Sequence, residues 1–417
     1  MNRTIMETKE QAEQERALQL ATEAGHILLE NGAEISRVEE TMEHIASAYG
    51  VRDESFFVLS NGIITTGRQY ARAEFIPIRG TQLSRVVEVN QLSRDVRPPV
   101  MPLDQLEARL RAIRSQGGKP WWEVVLGIAL GVASFSILFG GSLTDAAATF
   151  VCGLPLGLFM TFARLTRIFS NLMGGLVGGL LCILSVALGF GEHLPNMIIG
   201  TIIALVPGVP FTNGMRDLGN EDYIAGATRL MDAFLAFLCI ALGVALAFIL
   251  HGFLSDGLMQ LGRPTTDAVA SAWSIQLAAA FIGTVGFSAL FGAPRRCYFY
   301  CGLTGMMGWA VYLGVLQAGV QYVVAAAFLA ALTVAAMSSV LAIVCRCPST
   351  VFLICGIIPL VPGGGIFWTA YYLVGDQLRQ AATTGFTALK VTIAIAGGII
   401  LMGPVASQLN KRRRKNR

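Results

Sequence analysis

Between residues 122 and 409 the chain is written almost entirely in apolar side chains, divided into ten runs. Each run approaches the roughly 20 residues that an α-helix needs to cross the ~30 Å hydrocarbon core of a bilayer. The runs fall at 122–140, 145–163, 168–190, 194–214, 229–254, 270–291, 297–317, 320–344, 348–374 and 386–409. A backbone in lipid must satisfy its own polar groups, so apolar runs of this length are read as helices. Composition agrees, since 14% of the residues are charged against about 25% in soluble domains. The expected fold is an α-helical polytopic membrane protein with about ten transmembrane helices, arranged as two inverted five-helix repeats behind an N-terminal cytoplasmic α+β domain.

Charge is gathered at the two ends of the chain. It is dense before about residue 119 and returns at Lys411, Arg412, Arg413, Arg414 and Lys415. The segments are therefore 1–118, a soluble domain; 119–255, the first membrane repeat; 256–269, a linker loop; 270–410, the second repeat; and 411–417, a basic cytoplasmic tail. In the soluble part Ala17, Leu20, Ala21, Ala24, Ile27 and Leu28 recur at helical spacing, as do Ile35, Val38, Met42, Ile45 and Tyr49 after Asn31-Gly32. Ser60-Asn61-Gly62 between Ser55–Leu59 and Ile63–Thr66 reads as a hairpin, with a third strand at 73–78 and helices at 81–95 and 102–115. The pairs His26/Glu30 and Glu40/His44 have metal-ligand spacing but read as a solvated face. Asn31 to Glu39 reads as a helix junction in preference to a binding loop.

Residues 1–30 lack an apolar signal core, which puts the first domain in the cytoplasm. Alternate loops then hold Arg164, Arg167, Arg216, Arg229, Arg295, Arg296, Arg346 and the basic tail, while the opposite loops hold mainly Arg263 and Arg379. This positive-inside asymmetry predicts a multi-pass protein of the cell inner (plasma) membrane with both termini cytoplasmic. Cys152, Cys182, Cys239, Cys301 and Cys355 lie in apolar runs and read as packing residues, so no disulfide is expected. Cys345 and Cys347 lack the second pair that zinc requires, and neither metal nor cofactor is expected.

The two halves share short signatures. Phe135-Ser136-Ile137-Leu138-Phe139-Gly140 recurs as Phe287-Ser288-Ala289-Leu290-Phe291-Gly292, and Ile202 to Gly208 recurs as Ile357 to Gly363. Five helices per half is odd, so the second half enters from the opposite side, an arrangement suited to alternating access. The fourth helix of each half is interrupted, at Val206-Pro207-Gly208-Val209-Pro210 and at Val361-Pro362-Gly363-Gly364-Gly365. Breaks at membrane depth are tolerated where they line a cavity, and paired breaks point to a transport site. The substrate-binding candidates are therefore Pro207, Gly208, Thr212, Asn213, Arg216, Pro362 and Gly363. Arg216 would attract a carboxylate or form a helix-end pair with Asp217; Asp232 and Asp217 are the ion-coupling candidates, Asp232 having Arg229 as its alternative partner. Gly174-Gly175 and Gly178-Gly179 favour close helix contact.

Asn31-Gly32-Ala33-Glu34-x-x-Arg37-x-Glu39, Pro207-Gly208-Val209-Pro210-x-Thr212-Asn213-x-x-Arg216-Asp217 and Gly292-Ala293-Pro294-Arg295-Arg296 resemble the threonine/serine exporter family along essentially the whole chain. The resemblance implies proton-driven export of small amino acids, or of dicarboxylates in relatives whose two parts are separate proteins. Pro362-Gly363-Gly364-Gly365 departs from the Pro-Gly-Val-Pro form, so contacts cannot be copied between halves. No His-Glu-x-x-His, Gly-x-Ser-x-Gly or Walker motif is present, which favours a transporter over an enzyme. A membrane-anchored hydrolase or sensor in the N-terminal domain is the alternative class, and a passive channel is a third. The expected partners are a small-molecule substrate, protons and the lipid bilayer, with no nucleic acid and with homo-oligomerisation open.

Overall fold

The computed structural model describes residues 2–51, 54–67, 70–77, 80–96, 100–254, 272–318 and 322–415. The expected linker at 256–269, Arg263 and the side chains of the basic tail lie outside the described residues.

The N-terminal part comprises α1 (Asn2–Glu30), α2 (Ile35–Ala48), the antiparallel sheet β1 (Ser55–Leu59), β2 (Gly62–Gly67) and β3 (Tyr70–Phe75), then α3 (Leu83–Asp95) and α4 (Leu103–Ser115). The periodic residues form its core: Ala21, Ala24, Ile27, Leu28, Val38, Met42, Ile45, Leu106 and Leu110 are fully buried. Strand β3 ends sooner than the expected 78, because Pro77 cannot donate to a ladder and restricts the residue before it. His26 pairs with Glu74 at 3.1 Å, and no metal-binding cluster occurs among the described residues.

The membrane part comprises α5 (Trp121–Leu138), α6 (Leu143–Phe162), α7 (Arg167–Ala187), the pair α8 (Leu194–Ile202) and α9 (Gly208–Gly219), α10 (Tyr223–Leu254), α11 (Trp273–Leu290), α12 (Tyr298–Gln317), α13 (Val323–Val344), the pair α14 (Ser349–Gly356) and α15 (Gly363–Val374), and α16 (Leu378–Lys415). Among the described residues, eight helices are individually long and apolar enough to cross a membrane, or up to ten spans if each bent pair counts as one. The chain is a multi-pass membrane protein. Helix α10 starts at Tyr223, earlier than the expected 229, because Arg229 is buried inside the helix with a partner and does not mark its end. All eight cysteines are free.

Glycine sets the closest helix crossings. A Cβ on Gly175 of α7 would meet the Ile240 carbonyl of α10 at 2.5 Å, and one on Gly243 of α10 would strike the Leu172 carbonyl. Backbones approach this closely only where no side chain intervenes. On the face opposite the soluble domain, Asp145 ties the start of α6 to the α7–α8 connection, accepting from the Glu192 and His193 amides at 2.6 and 2.9 Å.

Candidate functional site at the broken helices

The two breaks share one backbone design. Each half-helix ends in a 3-10 turn, Ile203–Leu205 or Ile358–Leu360. An extended valine follows, then a proline at φ −76°, ψ 61° for Pro207 and φ −76°, ψ 57° for Pro362. These are the angles of an inverse γ-turn, closed by Gly208 N–H donating to the Val206 carbonyl at 2.8 Å and Gly363 N–H to the Val361 carbonyl at 2.7 Å. Proline presets the φ such a turn needs and removes one amide that would otherwise lack a partner. The chain bends by 61° at the first break and 45° at the second.

The breaks face each other. Gly208 looks toward Ile358 in the second 3-10 turn, and a Cβ on Gly363 would collide with Ile203 in the first. The same reciprocity governs the α5–α11 crossing. A Cβ on Gly131 would strike the Phe287 ring and one on Gly283 the Phe135 ring, each glycine lying one turn before its own half's phenylalanine. The two rings themselves pack at 5.2 Å between centroids. Helices α9 and α15 both begin at the breaks, so both bring a partially positive N-terminus there.

From the first break α9 runs to the soluble domain, and the chemistry of its last two turns differs from expectation. Arg216 does not pair with Asp217. Its Nη1 lies 2.7 Å from Glu34 Oε2 of the soluble domain, and its guanidinium donates at 3.4 Å to Ser349 and Thr350 at the start of α14. Asp217 is fully buried; it accepts from Arg229 Nη1 at 2.6 Å and from the Ile35 amide at 3.1 Å. Asp232, half exposed, faces Arg167 at 3.6 Å and not Arg229. Sequence spacing suggests local partners for each charge, but α9 is docked on another domain, and the domain supplies the partner.

That dock is built around residues 31–35. Helix α1 ends at Glu30, and Gly32 reverses the chain at φ +87°, a left-handed conformation that favours glycine. Asn213 Nδ2 donates to the Gly32 carbonyl at 2.7 Å, and Arg229 Nη2 to the Ala33 carbonyl at 2.9 Å. Glu34 occupies the N-cap position of α2 without making a cap hydrogen bond. Asp217 takes that role from the membrane part, placing a carboxylate against the first amide of α2. A second dock joins the other half: the Leu83 and Ser84 amides at the start of α3 donate to the Phe291 and Gly292 carbonyls at 3.0 and 2.8 Å. Free N–H groups of one helix thereby meet free carbonyls of another. Thr212 Oγ1 and Asn213 Oδ1, both buried on α9, have no hydrogen-bond partner among the described residues.

Sequence reasoning identified the 31–39 segment and the α9 segment separately but not that they touch. No periodicity connects residues so far apart, and the burial of Asp217 and Arg229 is visible only in the fold. Burial also pushes the carboxyls of Glu39 and Asp222 at this interface upward, with Arg229 opposing the shift at Asp222. An acid whose folded-state pKa is raised contributes stability below its unfolded pKa and loses it as pH rises through the folded value. The melting temperature is therefore expected to fall as pH rises above the ordinary carboxylate range, and Glu39→Gln to flatten that slope. Thermal melts of the two proteins across that range check it; an unchanged slope would remove Glu39 as the cause.

The family described as "Putative threonine/serine exporter" matches residues 19–251, and a second, "Threonine/Serine exporter, ThrE", matches residues 276–405. The chain belongs to the threonine/serine exporter family. It is 25% identical to the "Threonine/serine exporter" of Corynebacterium glutamicum over 96% of this chain and 84% of that protein. It is 22% identical to the "Probable threonine/serine exporter" of Mycobacterium tuberculosis over 94% of this chain and 77% of that protein. The "Probable succinate transporter subunit YjjP" of Escherichia coli matches at 25% identity over 58% of this chain and 98% of that subunit. No solved structure matches the chain. Within the family frame, the first match unites the soluble domain with α5–α10, the elements that build the main dock.

Proposed function

We propose that this exporter-family chain is a secondary transporter that moves a small amino acid of the threonine or serine kind across the inner membrane, binding it between the two broken helices. The observation that carries the reading is the matched pair of inverse γ-turn breaks, each glycine facing the other's 3-10 turn. Two half-helix N-termini at one depth favour a carboxylate, as helix ends do in other broken-helix sites. Pro207, Gly208, Pro362 and Gly363 shape the site; Thr212 and Asn213 offer hydroxyl and amide partners; Arg216 is the carboxylate anchor. The reciprocal glycine and phenylalanine contacts support an inverted repeat and alternating access. In this reading the soluble domain is cytoplasmic and export draws on the proton gradient. Asp232 is the candidate proton carrier, whereas Asp217, tied by two donors, serves the dock.

Flux of labelled threonine, serine and succinate from proteoliposomes, with and without a pH gradient, tests the reading. Losing one charge-assisted contact costs about 1.5–3 kcal/mol, so Arg216→Ala is expected to cut flux roughly 10- to 100-fold, with Arg216→Lys intermediate because it lacks the planar fork. Succinate moving in preference to the amino acids would favour the dicarboxylate alternative, and flux indifferent to the pH gradient would remove the coupling.

A further inference from the structure

We propose that Glu34 is a tethered stand-in for the substrate's carboxylate: its side chain holds Arg216 when the site is empty, and a substrate entering from the soluble-domain side displaces it, releasing the 31–34 loop. This rests on the reading of Arg216 as the substrate's carboxylate anchor.

Glu34 is placed where a side chain ordinarily caps its own helix, yet it makes no cap bond, because Asp217 supplies the cap from the membrane part. Its carboxylate is instead buried against Arg216 at 2.7 Å, with Arg37 as a more distant partner at 3.4 Å. The contacts of Arg216 to Ser349 and Thr350 are long, 3.4 Å each, and these residues open α14, the half-helix leading into the second break. The guanidinium thus stands between the loop and the second half with a carboxylate as its nearest ligand, an ion pair at 2.7 Å in which Glu34 Oε2 makes no aligned hydrogen bond, and that ligand has the chemistry of the group a substrate would present. Thr212 and Asn213 lie one turn before Arg216 on α9, and each keeps a buried oxygen without a donor. Two buried oxygens one turn from Arg216 on the same helix complement an ammonium, as the guanidinium complements a carboxylate, on one small molecule. The stand-in supplies the carboxylate only and leaves these two oxygens for the ammonium of an α-amino acid. The loop carrying Glu34 is itself bound by Asn213 through the Gly32 carbonyl, so occupation of this face and release of the loop are linked.

Ser36 and Asn220 provide the test, since Asn220 Nδ2 reaches Ser36 Oγ at 3.1 Å just beyond the loop, on the exposed rim of the dock. In proteoliposomes the Ser36→Cys/Asn220→Cys protein, oxidised to a disulfide, is expected to lose threonine flux and to regain it on reduction. Glu34→Gln, which removes the competing charge, is expected to lower the half-saturating threonine concentration several-fold on the soluble-domain side. A purely structural Glu34 would instead lower maximal flux and thermal stability and leave half-saturation unmoved or raised. Undiminished flux through the cross-linked protein, or a Glu34→Gln protein without tighter half-saturation, overturns the stand-in while leaving the exporter reading intact. Failure of the wild-type protein to move threonine or serine overturns both.

Discussion

Replacing Arg229 by methionine is expected to destabilise the protein by about 3–5 kcal/mol, the cost of leaving one member of a buried ion pair alone. Arg229 is 3% exposed and Asp217 not at all, so neither charge can turn to water when the other is removed. The loss spreads further than the pair. Arg229 also donates to the Ala33 carbonyl, so the substitution frees that point of the dock and leaves Asp217, still capping α2, as a buried charge without its partner. Asp217→Leu combined with Arg229→Met is expected to recover much of the stability, because two apolar side chains replace two desolvated charges. The double protein should nevertheless hold the soluble domain less firmly, since α2 has lost its cap. Thermal unfolding in detergent reads the stability. Hydrogen exchange at the Ile35 amide reads the dock, and an amide protected equally in all three proteins would contradict the capping role of Asp217.

The second large effect is expected at the α5–α11 crossing. A Cβ on Gly127 would lie 2.5 Å from the Gly286 carbonyl, and one on Gly286 would strike the Gly127 carbonyl. The obstacle is backbone in both directions, which no rotamer change can move aside. Overpacking of this kind costs about 1–3 kcal/mol, so Gly127→Ala and Gly286→Ala are each expected to destabilise by that amount. Together they should cost less than the sum, since separating the helices once accommodates both methyls. Gly208→Ala serves as the contrast: its nearest atoms, on Ile358 and Phe291, lie 3.9 Å from a Cβ, and the change is expected to be mild in stability. A double-mutant cycle followed by melting temperature checks the prediction; strict additivity would mean that the two glycines do not meet across one crossing.

Much of the fold is legible in the residues because bilayer spanning leaves few options. Apolar length places the membrane helices, and helical spacing of residues such as Val38, Met42 and Ile45 identifies the soluble core. The breaks are legible because proline and glycine interrupt the fourth apolar run of each half at matching places, whereas α6 continues through Gly153-Leu154-Pro155. Charges mislead where burial and long-range pairing take over. Arg229 reads as a helix end but is an interior residue, and Arg216 beside Asp217 reads either as a carboxylate anchor or as one member of a local pair, while each has a partner in the N-terminal domain. Glu34 gives no sign of its role because an N-cap acid is ordinarily explained by its own helix. Only the fold reveals that the cap comes from Asp217 and that the glutamate is turned toward Arg216.

The central claim is that substrate binds at the breaks, on the α9 face that carries Thr212, Asn213 and Arg216. It is tested most directly by placing a single cysteine at Thr212 in a chain whose eight native cysteines are replaced, and following its modification by a small maleimide with and without threonine. The account predicts that Thr212→Cys reacts from the soluble-domain side and that threonine or serine slows the reaction in a saturable manner. A cysteine there that never reacts, or that reacts at a rate no amino acid alters, would contradict a substrate path through the broken helices.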